Sequence, residues 1–176
     1  MNGRLWVLVF AVSGILLGSS WPTIVQAASY ELTKDDVMEA DQFKSLDVSL
    51  YGVKLADPET KALDALVNEK IPGVKAEQEG TFILLWDQRK PTGPMAGVRL
   101  IDGKVDLIFI NNRFAYKVHG VFRSVLNSES PGEIRKLLGE EEFGDENVMG
   151  AALNYPSRGY LVNYLGRDVN VEFSIP

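Results

Sequence analysis

The sequence predicts an α+β fold of two helix-plus-β-meander units, with an antiparallel sheet and helices packed on one face. Three observations predict it. The stretch from Ser130 to Gly139 carries the signals of a short helix: Ser130 at the cap, Pro131 at the first helical position, Glu133 completing a capping box and Gly139 as a stop. Ile134, Leu137 and Leu138 fall on one side of it. Three strand-like runs follow, ending in Val169-Asn-Val-Glu-Phe-Ser-Ile175, and a looser copy of the same helix-then-strands order lies between Asp57 and Ile110.

The chain begins with a stretch that is not part of this fold. Arg4 precedes an almost wholly apolar run from Leu5 to Leu17, too short for a comfortable membrane span. Val25 and Ala27 then occupy the minus-three and minus-one positions of a cleavage site, the pattern of a secretory signal peptide over residues 1–27. An uncleaved anchor is the alternative; Trp21-Pro22 interrupts the apolar run and favours cleavage. Residues 28–45 read as a short helix capped near Thr33, with Val37, Met38 and Phe43 facing inward, or as a loose arm. The acids Asp35, Asp36, Glu39 and Asp41 lack the glycine turn and ligand spacing of a calcium loop.

The first α+β unit spans 46–118. Leu46 to Leu50 alternates as a strand or an extended lead-in, and Asp57 is expected to cap a helix with Pro58 at its first position. Ala62, Leu63, Leu66 and Val67 form its apolar stripe, and Ile71-Pro-Gly73 ends it. Gly80 to Trp86 is a dense apolar strand, buried on both faces or protected at an edge. Asp102-Gly103 between two apolar runs signals a hairpin, and Phe114, Tyr116 and Val118 suggest that the second strand continues past a bulge. The second unit spans 119–176: Gly120 to Leu126 leads into the helix at Ser130, Glu140 to Gly150 reads as an acidic loop, and three strands follow.

Composition narrows the functions. The chain has no cysteine, so it has no disulfide, no thiolate metal site and no lipid-anchoring cysteine. Its formal net charge is −6, and loss of Arg4 with the signal peptide makes it more negative. No basic run exceeds two residues, which argues against nucleic acid as a partner. Acidity serves solubility and would also favour a basic protein partner.

The two halves align by feature. Gly52-Val53 precedes the helix start at Asp57-Pro58 as Gly120-Val121 precedes that at Ser130-Pro131, and Asp102 to Val105 parallels Gly166 to Val169. With its capped helix ending in Leu-Leu-Gly139, then Tyr155 and Gly159 before a final strand, the chain resembles small exported helix-plus-meander proteins. The β-lactamase-inhibitor-protein fold is the two-unit form, and the small outer-membrane lipoproteins of the barrel-assembly machinery are the one-unit form. The resemblance covers roughly residues 46–175 and implies a protein-binding periplasmic or secreted module. This chain departs from the lipoproteins in lacking the anchoring cysteine, and from the disulfide-bonded inhibitors in having none.

Catalytic chemistry finds little support. His119, the single histidine, sits in an apolar run and is followed by Gly120; no Gly-x-Ser-x-Gly elbow occurs. One histidine does not make a zinc site, and the Gly93 to Gly97 spacing lacks the lysine and helix of a phosphate loop. The carboxylates Asp87, Asp102, Asp106 and Glu140 to Glu142 fall in turns, in a loop or on an outer strand face, with no pair singled out. No cofactor is expected.

The remaining feature is aromatic. Tyr160 and Tyr164 share one face of a strand, and Tyr155 and Trp86 fit the same sheet. These residues either pack beneath the helices, the commoner fate of strand aromatics, or form a protein-binding surface on the uncovered face. The expectation is thus a periplasmic or secreted, non-enzymatic module that binds an envelope or extracellular protein, with no stable membrane anchor after cleavage. Its competitors are an inhibitor of a secreted hydrolase such as lysozyme, and a carboxylate-dependent hydrolase. Oligomeric state is not set by the sequence.

Overall fold

A computed structural model of the protein describes residues 30–33 and 43–176. The cleavage-site stretch and most of the expected N-terminal helix lie outside the described residues. Chain order begins with β1 (Tyr30–Glu31) and β2 (Val48–Ser49), which pair in parallel. Then follow α1 (Glu59–Leu63), β3 (Val74–Glu79), β4 (Phe82–Asp87), β5 (Ala96–Ile101) and β6 (Lys104–Asn111). After these come α2 (Gly120–Leu126), α3 (Pro131–Leu138), β7 (Phe143–Asn147), β8 (Gly150–Tyr155), β9 (Tyr160–Leu165) and β10 (Asp168–Ser174). The protein is a mixed α+β structure built on one antiparallel eight-stranded sheet, in the order β3-β4-β5-β6-β10-β9-β8-β7.

The core lies between the helices and one face of this sheet. Side chains alternate across a strand, so residues two apart share a face. The rows Ile83–Val98–Ile108–Phe173–Tyr160–Tyr155 and Leu85–Ala96–Ile110–Val171–Val162–Leu153 run across the register on the buried side. Ala62 and Leu66 near α1, Phe122 and Val125 of α2, and Ile134 and Leu138 of α3 join the same cluster. An aromatic knot of Tyr30, Phe43, Phe122, Tyr160 and Phe173 forms its centre, with Phe43 and Phe122 ring centroids 4.3 Å apart. Aromatic pairs of this kind contribute about 0.5–1.5 kcal/mol beyond the area they bury.

Local chemistry explains most of the elements. Ser130 caps α3 by accepting the Glu133 N–H at 3.3 Å. The Glu133 carboxylate reaches the Glu129 N–H at 2.8 Å, one residue before the position a capping box uses. The far end of α3 is held by Arg158, which donates to the Leu138 carbonyl at 2.7 Å, and by Tyr155, which donates to the Gly139 carbonyl at 2.9 Å. Asp102-Gly103 forms the β5–β6 hairpin with both residues at positive φ (50° and 71°), as a type I′ turn requires.

Several expectations are corrected. Asp57 does not cap α1: its carboxylate accepts the Lys54 N–H and pairs with Lys61, both at 2.7 Å, while Pro58 bridges to Lys104 in extended conformation. The helix then widens over Asp64–Asn68, where the Glu69 N–H reaches the Asp64 carbonyl at 2.9 Å. Residues 46–50 give a tight turn and only the two-residue β2. Gly120–Leu126 is a separate helix, α2. Phe114, Tyr116 and Val118 do not continue a strand. Asn112–Lys117 coils into a 3-10 helix whose start is capped by Asn111, which accepts the Arg113 N–H at 3.0 Å. The acidic stretch after α3 contains β7, an edge strand paired to β8. Polar β3 closes the opposite edge.

Candidate protein-binding surface

Three of the four aromatics singled out by the sequence lie on the helix-covered face. Tyr155 and Tyr160 are buried, their rings 4.9 Å apart at the centroids. Arg158 bonds the Tyr160 hydroxyl at 2.9 Å, and burial pushes the Tyr155 phenol up to about 12. Neither can serve as a surface residue, because the register pairs Tyr160 with Phe173 and Tyr155 with Tyr160 on the side covered by α2 and α3. Tyr164 shares their face but lies near the sheet end, half-buried, and its hydroxyl donates to the Glu129 carbonyl. It lines a shallow polar groove with Asn112, Asn127, Ser128 and Arg167.

Trp86 is on the other face. Among the described residues no helix lies over that face, yet its strands are rich in apolar residues. Phe82, Leu84 and Trp86 of β4, Leu107 and Phe109 of β6, and Leu161 of β9 all point there and are half-buried. One row crosses the entire sheet: Glu77, Leu84, Gly97, Phe109, Glu172, Leu161, Asn154 and Phe143. A second joins Glu79, Phe82, Arg99 and Leu107, and a third is polar, with Asn111, Asn170 and Asn163 side by side.

The Phe109 ring packs against Gly97. A Cβ at Gly97 would sit 2.4 Å from the Ile83 carbonyl oxygen and 2.7 Å from the ring. Glycine is therefore required for close approach, and Phe109 covers the gap it leaves. Arg99 and Asp106 form a two-pronged ion pair at 2.5–3.1 Å, which raises the Arg99 pKa chiefly through the Asp106 hydrogen bond. Lys75 lies 5.9 Å from the centroid of the Trp86 ring. Glu77 and Glu79 of β3 border the apolar surface, and Glu172 of β10 lies within it, between Phe109 and Leu161.

Several other titratable groups hold elements together. Arg135 clamps α3 to β7 through Glu141 at 2.6 Å and Glu146 at 2.8 Å, and its hydrogen bond holds Glu141 below the usual carboxylate range. The buried Glu31 carboxylate accepts from the Tyr51 and Gly52 N–H groups at 3.1 and 3.2 Å. The His119 carbonyl accepts from Tyr30. Among the described residues no group of three or more His, Asp or Glu side chains could hold a metal ion, and no helix is long and apolar enough to cross a membrane. Compared with protein-family profiles, curated proteins and solved structures, the chain matches none.

Sequence reasoning missed Phe82, Leu84, Leu107, Phe109 and Leu161. The signal was present in β4 and β6, which are apolar on both faces. Strands of that kind need cover on both sides, and the helical segments suffice for one.

Proposed function

We propose that the protein is an exported, non-enzymatic module that binds another protein of the cell envelope or extracellular space through the uncovered sheet face. One observation carries the reading: Phe82, Leu84, Trp86, Leu107, Phe109 and Leu161 form a half-buried apolar surface without a covering element among the described residues. Contiguous apolar patches of this kind mark interaction sites on soluble proteins. Interfaces commonly have an apolar core inside a polar rim; here Phe82, Leu84 and Trp86 of β4 lie beside the polar edge strand β3. Glu77, Glu79 and Glu172 would steer it toward a basic partner, and a basic secreted hydrolase held in inhibition is one partner of that description.

The two-unit reading belongs to the same proposal. α1 precedes the run β3–β6, α2 and α3 precede the run β7–β10, and the last strands of the two runs, β6 and β10, pair at the sheet centre. Joining two small meanders in this way makes a face broader than either could offer alone.

The test places a photo-crosslinking residue at Leu84 or Leu161, with Lys136 on the exposed side of α3 as control. The expected result is one discrete protein adduct in the native envelope from both sheet positions and none from the control. Identical adducts from all three positions, or none from the sheet, would refute the surface.

A further inference from the structure

A cleft of about 450 Å³ at one end of the sheet has the opposite electrostatic character to the rest of the chain. It lies between the β4–β5 loop and the 3-10 helix after β6, and is lined by Asp87, Arg89, Lys90, Thr92, Arg113 and Tyr116. Its volume falls within the roughly 300–1,000 Å³ typical of small-ligand sites. Three cations face one carboxylate there, so the lining is net positive by two in a chain of formal charge −6.

The walls are tied together. Tyr116 donates to Asp87 at 2.9 Å, joining the 3-10 helix to the end of β4. Asn111 donates to the Pro94 carbonyl at 2.8 Å while accepting the Arg113 N–H, so one side chain fixes both rims. The Arg113 guanidinium folds back against Gly93, with Nη1 3.1 Å from where a Cβ would stand. Asp87 is fully engaged. It accepts the Arg89 N–H at 2.8 Å and the Arg89 side chain at 3.4 Å, and these bonds with that of Tyr116 hold its carboxyl down at about 2. It stays ionised at neutral pH and neutralises Arg89. Among the described residues, no carboxylate pairs with Lys90 or Arg113.

From this arrangement we infer that the cleft binds a small multiply charged oxyanion, a di- or tricarboxylate or a phosphate group, held by Arg113 and Lys90. A concave site with a net positive lining concentrates anions, and here Asp87 is already engaged by Arg89 and Tyr116. A guanidinium offers forked donors to a carboxylate or phosphate, and an ammonium adds a point charge. The surrounding acidity of the protein repels such anions elsewhere, which confines them to this end of the sheet. The site is separate from the apolar face, so its loss leaves the protein-binding reading intact.

Titrations of the purified protein with citrate and with inorganic phosphate, followed through backbone amide NMR shifts, test the inference. Saturable shifts confined to residues 87–93 and 113–117 are expected with at least one of the two, and the tighter of them identifies the source chemistry. Arg113→Met should weaken that binding about tenfold and Lys90→Met about threefold, as expected for lost charge-assisted contacts at an exposed site. Both side chains are exposed, so thermal unfolding should be unchanged in either variant. Shifts spread over all surface cations without saturation, or equal affinity in both folded variants and the parent, would overturn it.

Discussion

The packing of Phe109 on Gly97 can be tested by a double-mutant cycle. A methyl group at position 97 would meet the Ile83 carbonyl oxygen at 2.4 Å and the Phe109 ring at 2.7–2.9 Å, all inside van der Waals contact. The carbonyl belongs to the β4 backbone and cannot rotate away, whereas the ring can. Overpacking of this severity costs about 1–3 kcal/mol, and the backbone contact places Gly97→Ala at the upper end. Phe109 is half-buried, so Phe109→Ala should cost less than the ~3–5 kcal/mol of a fully buried phenylalanine, about 1–2 kcal/mol. In the double variant the ring clash disappears and the carbonyl clash remains. The pair should therefore be less destabilised than the sum of the single changes, by about 1 kcal/mol. Urea unfolding with a shared m-value measures all four corners, and each kcal/mol should move Tm by roughly 2–4 °C. Additivity within about 0.5 kcal/mol would show that the ring does not rest on Gly97, and the description of the uncovered face would fall with it.

Other outcomes follow from single contacts. Leu138→Ala, at a fully buried position of α3, should cost about 2–5 kcal/mol in denaturant melts, and Ser130→Ala about 0.5–2 kcal/mol through its lost cap. Glu141 has its pKa lowered in the folded protein chiefly by the Arg135 hydrogen bond, so its stabilisation is present above the ordinary carboxylate value of 4.5 and is lost as pH falls through the lower folded value. Glu141→Gln should accordingly flatten the decline of Tm in that acidic window, and an unchanged profile would contradict the clamp. N-terminal sequencing of exported protein should find Ala28 or a residue beside it first; intact Met1 in a membrane fraction would support an anchor instead.

The elements that were readable in the sequence are those whose signals are local. Ser130-Pro131, Gly139 and Asp102-Gly103 act through their own neighbours, and the structure carries the cap, the helix end and the hairpin where they were expected. Elements set by tertiary context were not readable. Val74–Glu79 is a strand because β4 offers an open edge, although Lys75, Glu77, Gln78 and Glu79 show no apolar alternation. Phe143–Asn147 is one because β8 does, although all five residues are exposed. Phe114, Tyr116 and Val118 show strand periodicity but follow Asn111, whose side chain turns the backbone into a 3-10 helix.

The site was half readable for a related reason. Period two correctly places Tyr160, Val162 and Tyr164 on one face of β9, but it does not say which face meets the helices. That choice belongs to the register. β10 alternates more sharply than β9: Val169, Val171 and Phe173 against Asp168, Asn170 and Glu172. Its apolar side must therefore face the core, and its partners there are Tyr164, Val162 and Tyr160. The same register sends Leu161 outward beside Glu172, in line with Phe109 and Leu84. A strongly patterned strand thus decides the orientation of an ambiguous neighbour. Applied across the sheet, the rule moves the candidate interface from the tyrosines of β9 to the leucines, phenylalanines and tryptophan behind them, on the face opposite the one that α2 and α3 cover.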